Sequence, residues 1–274
     1  MTADKTANQS LTQALAAWTR WLSASGESSF VRPDPAAWLG HADVAEASAP
    51  VPESRPERAP EPKAKHPTPT VSQPIVQATD LAALRAEVAA FEGCPLKRTA
   101  TTTVFADGNP AARVMLIGEA PGADEDRRGL PFVGAAGQLL DKMMATIGLS
   151  RTAEAPEAAF YITNTVFWRP PGNREPTPAE LQACLPFVHR HIALVQPHLI
   201  ITLGNVPLRA LIDPAKGITR ARGTWATLDV EGHTIPALPM FHPAYLLRQP
   251  AHKAFAWADL LAVQAKLREP RHAD

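Results

Sequence analysis

Arg113–Gly118 (RVMLIG) is a short run, apolar without alternation, that ends in glycine. A strand with one face in water alternates apolar and polar residues, whereas a strand covered on both faces reads as an unbroken apolar stretch. The pattern returns at Leu199–Leu203 (LIITL), closed by Gly204. Tyr161–Phe167 (YITNTVF) is β-branched and aromatic, which also suits a strand. Thr224–Met240 reads as two strands around Glu231-Gly232. Helical patterns lie between these runs. Asp80–Gly93 is closed by its glycine, and Gly137–Gly148 places Leu139, Leu140, Met143, Met144 and Ile147 on one face. Thr177-Pro178-Ala179-Glu180 opens a helix with a capping box and a proline at the first turn, and a last helix spans Lys253–Arg268. Strands alternating with helices predict an α/β fold, a three-layer α/β/α sandwich with a central, mainly parallel four-stranded sheet.

This domain is expected over residues 80–274. Residues 31–79 are dense in Pro, Ala, Glu and Lys; such a stretch has little apolar surface to offset chain entropy and reads as a disordered linker. Residues 1–30 form an N-terminal extension in which Leu11, Leu15, Trp18 and Leu22 fall at helical spacing. That short helix is a candidate docking element for a repair or replication protein.

The 274 residues carry 27 basic and 27 acidic side chains, so any nucleic-acid surface must be a local patch. Two cysteines, Cys94 and Cys184, make no disulfide framework. No run of about 18 apolar residues occurs, so no membrane span is expected. No basic segment followed by an apolar core marks a signal peptide, so the cytoplasm is the expected location.

Chemistry is expected where the strands end. Gly118–Asp126 packs four carboxylates beside glycines and a proline directly after a buried strand. It lacks the Gly-Lys-Ser/Thr ending of a phosphate loop. Asn164 puts an amide inside an apolar strand, where it needs partners. His242 follows an apolar strand and precedes a proline. Arg169–Arg174 (RPPGNR) is a stiff basic loop, and Arg220, Arg222 and Arg248 add cations suited to phosphate contacts.

The segments GEAPGADEDRRGLPFVGAAGQLLDKMM, YITN, RPPGNREPTPAEL and HPAYLLR, in that order, resemble the family 4 type of uracil-DNA glycosylase in its bacterial form, within the wider uracil-DNA glycosylase superfamily. The resemblance runs from about Cys94 to Arg268. It implies a monofunctional, monomeric enzyme beside the nucleoid that flips uracil out of single- or double-stranded DNA and hydrolyses its glycosidic bond, starting base-excision repair. Phe132 then matches the aromatic that stacks on the base, and Asn164 the amide that reads its edge. His242 matches the donor to the departing anion, and Glu119 and Asp126 the carboxylates that steady the sugar cation and orient water, with Glu125 a further candidate. Leu246, Leu247 and Arg248 match the loop that fills the gap left by the base, and Arg169 and Arg174 are expected DNA contacts.

Family members usually hold a [4Fe–4S] cluster on four cysteines. Here those positions fall on Phe91, Cys94, Trp168 and Cys184, so no cluster and no metal are expected. Two alternatives keep the same pocket: a catalytically weak DNA-binding or polymerase-associated module, and a glycosylase of broader base preference.

Overall fold

The computed structural model describes residues 74–269. The expected helix at Leu11–Leu22, and the linker up to residue 73, lie outside the described residues. Packing begins slightly before Asp80. Ala78 is buried and Val76 lies against the core, and the Ala78 carbonyl accepts a bond from Arg190 Nε at 2.7 Å.

Six strands form one sheet: β1 (Asp107–Gly108), β2 (Val114–Gly118), β3 (Phe160–Asn164), β4 (Leu199–Leu203), β5 (Ala226–Val230) and β6 (His233–Met240). Their order is β1-β3-β2-β4-β6-β5. The inner four, β3-β2-β4-β6, are parallel. The α/β sandwich is therefore as expected, but the sheet is wider than four strands because β1 and β5 add antiparallel edges. β3 also ends at Asn164 rather than Phe167. Beyond it, Thr165 and Val166 donate backbone bonds to Gly118 and Glu119.

Eight helices are described: α1 (Leu81–Ala90), α2 (Ala123–Arg128), α3 (Ala135–Thr146), α4 (Pro178–Val195), α5 (Asn205–Leu211), α6 (Ile218–Ala221), α7 (Pro243–Arg248) and α8 (Lys253–Arg268). Successive strand side chains point to opposite faces, and β2 shows the result. Met115 and Ile117 pack with Leu84 and Val88 of α1 and with Ala183, Phe187 and Val188 of α4. Val114 and Leu116 pack with Leu139, Leu140 and Met143 of α3 and with Leu260 and Val263 of α8. This double burial is why β2 reads as an unbroken apolar run. α4 starts as its sequence dictates: Thr177 Oγ1 accepts from Glu180 N and Glu180 Oε2 accepts from Thr177 N, at 3.3 and 2.7 Å. Among the described residues, no helix is long and apolar enough to cross a membrane.

Candidate active site

Parallel strands end on the same edge, so β2, β3, β4 and β6 deliver Glu119, Asn164, Gly204 and His242 to one side of the sheet. The chain runs from β2 to β3 on one flank and then to β4 on the other, which places a topological switch point at β2. A cavity of about 640 Å³ opens there, lined among others by Glu119, Phe132, Asn164, His242, Tyr245 and Arg248. A second cavity, about 520 Å³, sits at the opposite strand ends around Arg113, His198 and His233, away from these residues.

Asn164 is 1% exposed, and its Oδ1 is buried without a hydrogen-bond partner. A buried acceptor left so is costly unless a ligand completes it. The oxygen reaches the cavity because Gly118, its register partner on β2, has no side chain. A Cβ there would lie 2.5 Å from both Asn164 Oδ1 and Phe132 Cζ. The Phe132 ring thus lies over Gly118, and its centroid is 5.6 Å from that of His242 at an interplanar angle of 32°.

His242 caps α7: its Nδ1 accepts from the Ala244 backbone N–H at 3.1 Å. Nδ1 is thereby assigned as the unprotonated nitrogen, which leaves the ring proton on Nε2. Burial, with Arg248 adding to it, drives the imidazole pKa down to about 4, so the ring is neutral at physiological pH.

The three carboxylates separate by environment. Glu119 lines the cavity. Burial pushes its pKa up to about 7, and the charge of Glu175 acts in the same direction. Glu125 is committed to the backbone: Oε1 accepts from Val133 N and Gly134 N at 2.9 and 3.0 Å, and Oε2 from Gly122 N at 3.1 Å. Asp126 is buried, and its Oδ1 accepts from Thr101 N and Thr102 N at 2.8 and 3.2 Å. It is not among the cavity-lining residues. The acidic segment forms helix α2, whose first turn carries Asp124, Glu125 and Asp126, where the helix dipole favours negative charge.

The cationic and apolar residues divide in the same way. Leu246 is wholly buried in the core with Leu140 and Met143, so it cannot act as a surface wedge, whereas Leu247 is 45% exposed. Arg248 lines the cavity. Arg174 also reaches it, but its Nη1 and Nη2 donate to both oxygens of the buried Glu180 carboxylate at 2.8 and 2.7 Å. Arg169 Nε donates to Asn173 Oδ1 at 2.7 Å. Arg222 is paired with the buried Asp259. Sequence reading missed Glu175, which lies within the quoted RPPGNREPTPAEL motif, and Tyr245, within HPAYLLR. It also missed Gly118 as the opening for Asn164; the only signal was a glycine at the end of a buried strand.

Cys94 and Cys184 are buried neighbours, close enough for each thiol to perturb the other. Phe91 packs edge-on against Phe187, and Trp168 is buried with its Nε1 donating to Thr103 Oγ1 at 3.1 Å.

The chain is similar to several type-4 uracil-DNA glycosylases. It is 36% identical to that of Archaeoglobus fulgidus over 168 residues, 60% of this chain and 81% of the relative. It is 40% identical to that of Thermotoga maritima over 156 residues, 57% and 77% of the two chains. A stretch of 153 residues is 32% identical to part of a DNA polymerase of Bacillus phage SP01, covering 16% of that protein. The type-4 relatives are iron–sulfur enzymes. This kinship contradicts the expectation that the chain has no cluster. The donor set found here does not by itself fit a four-thiolate cluster: it offers two thiols, and the described residues include no group of three or more metal-binding side chains. The description "Uracil DNA glycosylase superfamily" matches residues 105–261, more than half of the chain, and the protein belongs to that superfamily.

Proposed function

We propose that this protein excises uracil from DNA by the concerted action of Phe132, Asn164, His242 and Glu119. The observation that carries the reading is the partnerless Asn164 Oδ1, buried at the cavity wall beside an aromatic ring and a neutral imidazole.

A base must leave the stack to reach such a pocket. The Phe132 ring offers it a face. Asn164 Oδ1 accepts from uracil N3–H, and the same amide's NH2 donates to O4. Cytosine presents the opposite pattern at both atoms, so it would leave buried polar groups unpaired and be rejected. As the bond between C1′ and the base breaks, its electron pair stays with uracil and charge gathers on O2. The Nε2–H of His242 donates to that oxygen, an oxyanion-type stabilisation. The sugar becomes cationic. The Glu119 carboxylate faces it and takes a proton from the water that attacks C1′. A pKa near 7 lies close to the operating pH, which suits a general base. Glu125 and Asp126 support this machinery by tying down the backbone around α2.

Leu247 and Arg248 follow His242 on α7 and would meet the duplex where the base has left, an exposed apolar side chain beside a cation. We read the protein as a monomeric bacterial enzyme of the cytoplasm, acting where the chromosome is, with residues 1–30 as an arm for a repair or replication protein. The direct test is a uracil-containing oligonucleotide incubated with purified protein and then cleaved at abasic sites with alkali. Strand scission at uracil supports the reading. Intact DNA, with tight binding retained, would favour a binding module instead.

A further inference from the structure

Arg151 was not singled out by sequence, and it does not line the cavity. It follows α3, and its side chain is 11% exposed. The guanidinium is fully engaged. Nη1 donates to the Pro131 carbonyl and Nη2 to the Phe132 carbonyl, each at 3.0 Å. On the other side, Nε donates to Asp141 Oδ1 at 2.8 Å and Nη1 to Asp107 Oδ2 at 3.0 Å. A planar fork thus ties two consecutive backbone carbonyls to carboxylates from α3 and β1.

The backbone it grips is unusual. Phe132 has φ +54°, in the left-handed region, which a bulky side chain adopts only when its surroundings enforce it. Its carbonyl is also crowded by α3, because a Cβ on Gly137 would fall inside that oxygen. In this conformation the ring lies over Gly118, beside His242.

We propose that Arg151 is a positioning residue for base stacking: by holding the Pro131 and Phe132 carbonyls between Asp107 and Asp141, it keeps Phe132 in the left-handed conformation that turns its ring into the cavity. This rests on the reading of Phe132 as the stacking aromatic. Arg151 touches no substrate and acts through Phe132 alone.

The test is a double-mutant cycle on single-turnover uracil excision, with thermal melting of every variant. Arg151→Lys keeps the charge between the carboxylates but lacks the fork that spans both carbonyls. It is expected to slow excision about tenfold by misplacing the ring. In a Phe132→Ala background the same change should alter the rate by less than about twofold, because the group through which it acts is gone. An equal slowing in both backgrounds, tracking a lower melting temperature, would overturn the proposal and leave Arg151 a purely structural residue. A Phe132→Ala protein with unimpaired excision would instead overturn the reading on which it rests, and so the two failures are told apart. If Arg151→Lys melts too low to assay, Asp141→Asn weakens the anchor that this carboxylate provides to Nε and Nη2 and runs through the same cycle with the same two outcomes.

Discussion

The backbone N–H of Ala244 donates to Nδ1 of His242 at 3.1 Å. This one bond sets the chemistry of the ring. It caps α7 and leaves the proton on Nε2, while burial and the charge of Arg248 keep the imidazole neutral. His242→Ala should lower the single-turnover rate by roughly a hundredfold or more while leaving DNA binding nearly intact, since the donor matters most to the developing anion. An equal loss in binding and rate would show that His242 acts on the ground state instead.

Glu119 predicts the pH profile. A base must be ionised, so excision should fall as pH drops through about 7, the value to which burial raises its carboxyl. His242 ionises only near 4 and stays neutral throughout that range. Glu119→Gln should be slow at all pH values and lose this acidic limb. An unchanged limb in the variant would assign it to another group.

The same shift has a stability consequence of opposite sign. A carboxyl whose folded pKa lies above its unfolded value binds its proton more tightly when folded. Its contribution is most favourable below the unfolded value of 4.5 and is lost as pH rises through about 7. Glu119→Gln should therefore raise the melting temperature more at pH 8 than at pH 5. A gain that did not depend on pH would mean that the buried charge is not its source.

Arg174 and Arg248 should differ in kind. Arg174 is spent on Glu180, so Arg174→Ala should cost about 2 kcal/mol of stability by leaving a buried carboxylate short of partners. It should leave the salt dependence of DNA binding almost unchanged. Arg248→Ala should reduce the slope of log K against log[salt] by roughly one phosphate contact. Reversed results, read from binding titrations at several salt concentrations, would exchange the two roles.

The inner sheet, the start of α4 and the bounds of α8 were legible because each rests on local signals: unbroken apolar runs, a capping box, a helical stripe. The cavity lies at the strand ends where chemistry is expected from sequence. What stayed hidden depends on partners distant in sequence. α2 carries no periodic pattern because its six residues are too few, and its carboxylates are satisfied by Thr101, Thr102, Val133 and Gly134. Leu246 and Leu247 are the same residue type in adjacent positions, and only the packing of α7 on α3 decides which is buried. Arg151 gathers four groups spread from Asp107 to Asp141, and no spacing announces such a cluster. The cluster ligands show the opposite failure. Two aromatic residues at cysteine positions led to an expectation that kinship with iron–sulfur enzymes contradicts.

Gly118 is a further place where one atom decides function. A Cβ there would displace both Asn164 Oδ1 and the Phe132 ring. Gly118→Ala should cost about 1–3 kcal/mol of stability through overpacking and should slow uracil excision far more than such a loss of stability explains. A variant with normal excision would show that neither group needs its present place.

The central claim is that Asn164 reads uracil's edge, and Asn164→Asp tests it most directly in a single-turnover assay on a uracil-containing oligonucleotide. An ionised aspartate offers only acceptors, so it can take N3–H but repels O4. A loss of roughly several hundredfold or more is expected, because unpaired and mispaired buried polar groups cost a few kcal/mol, with at most weak new activity on cytosine. Full uracil activity in Asn164→Asp would contradict it and return Asn164 to the role of a strand asparagine without a part in catalysis.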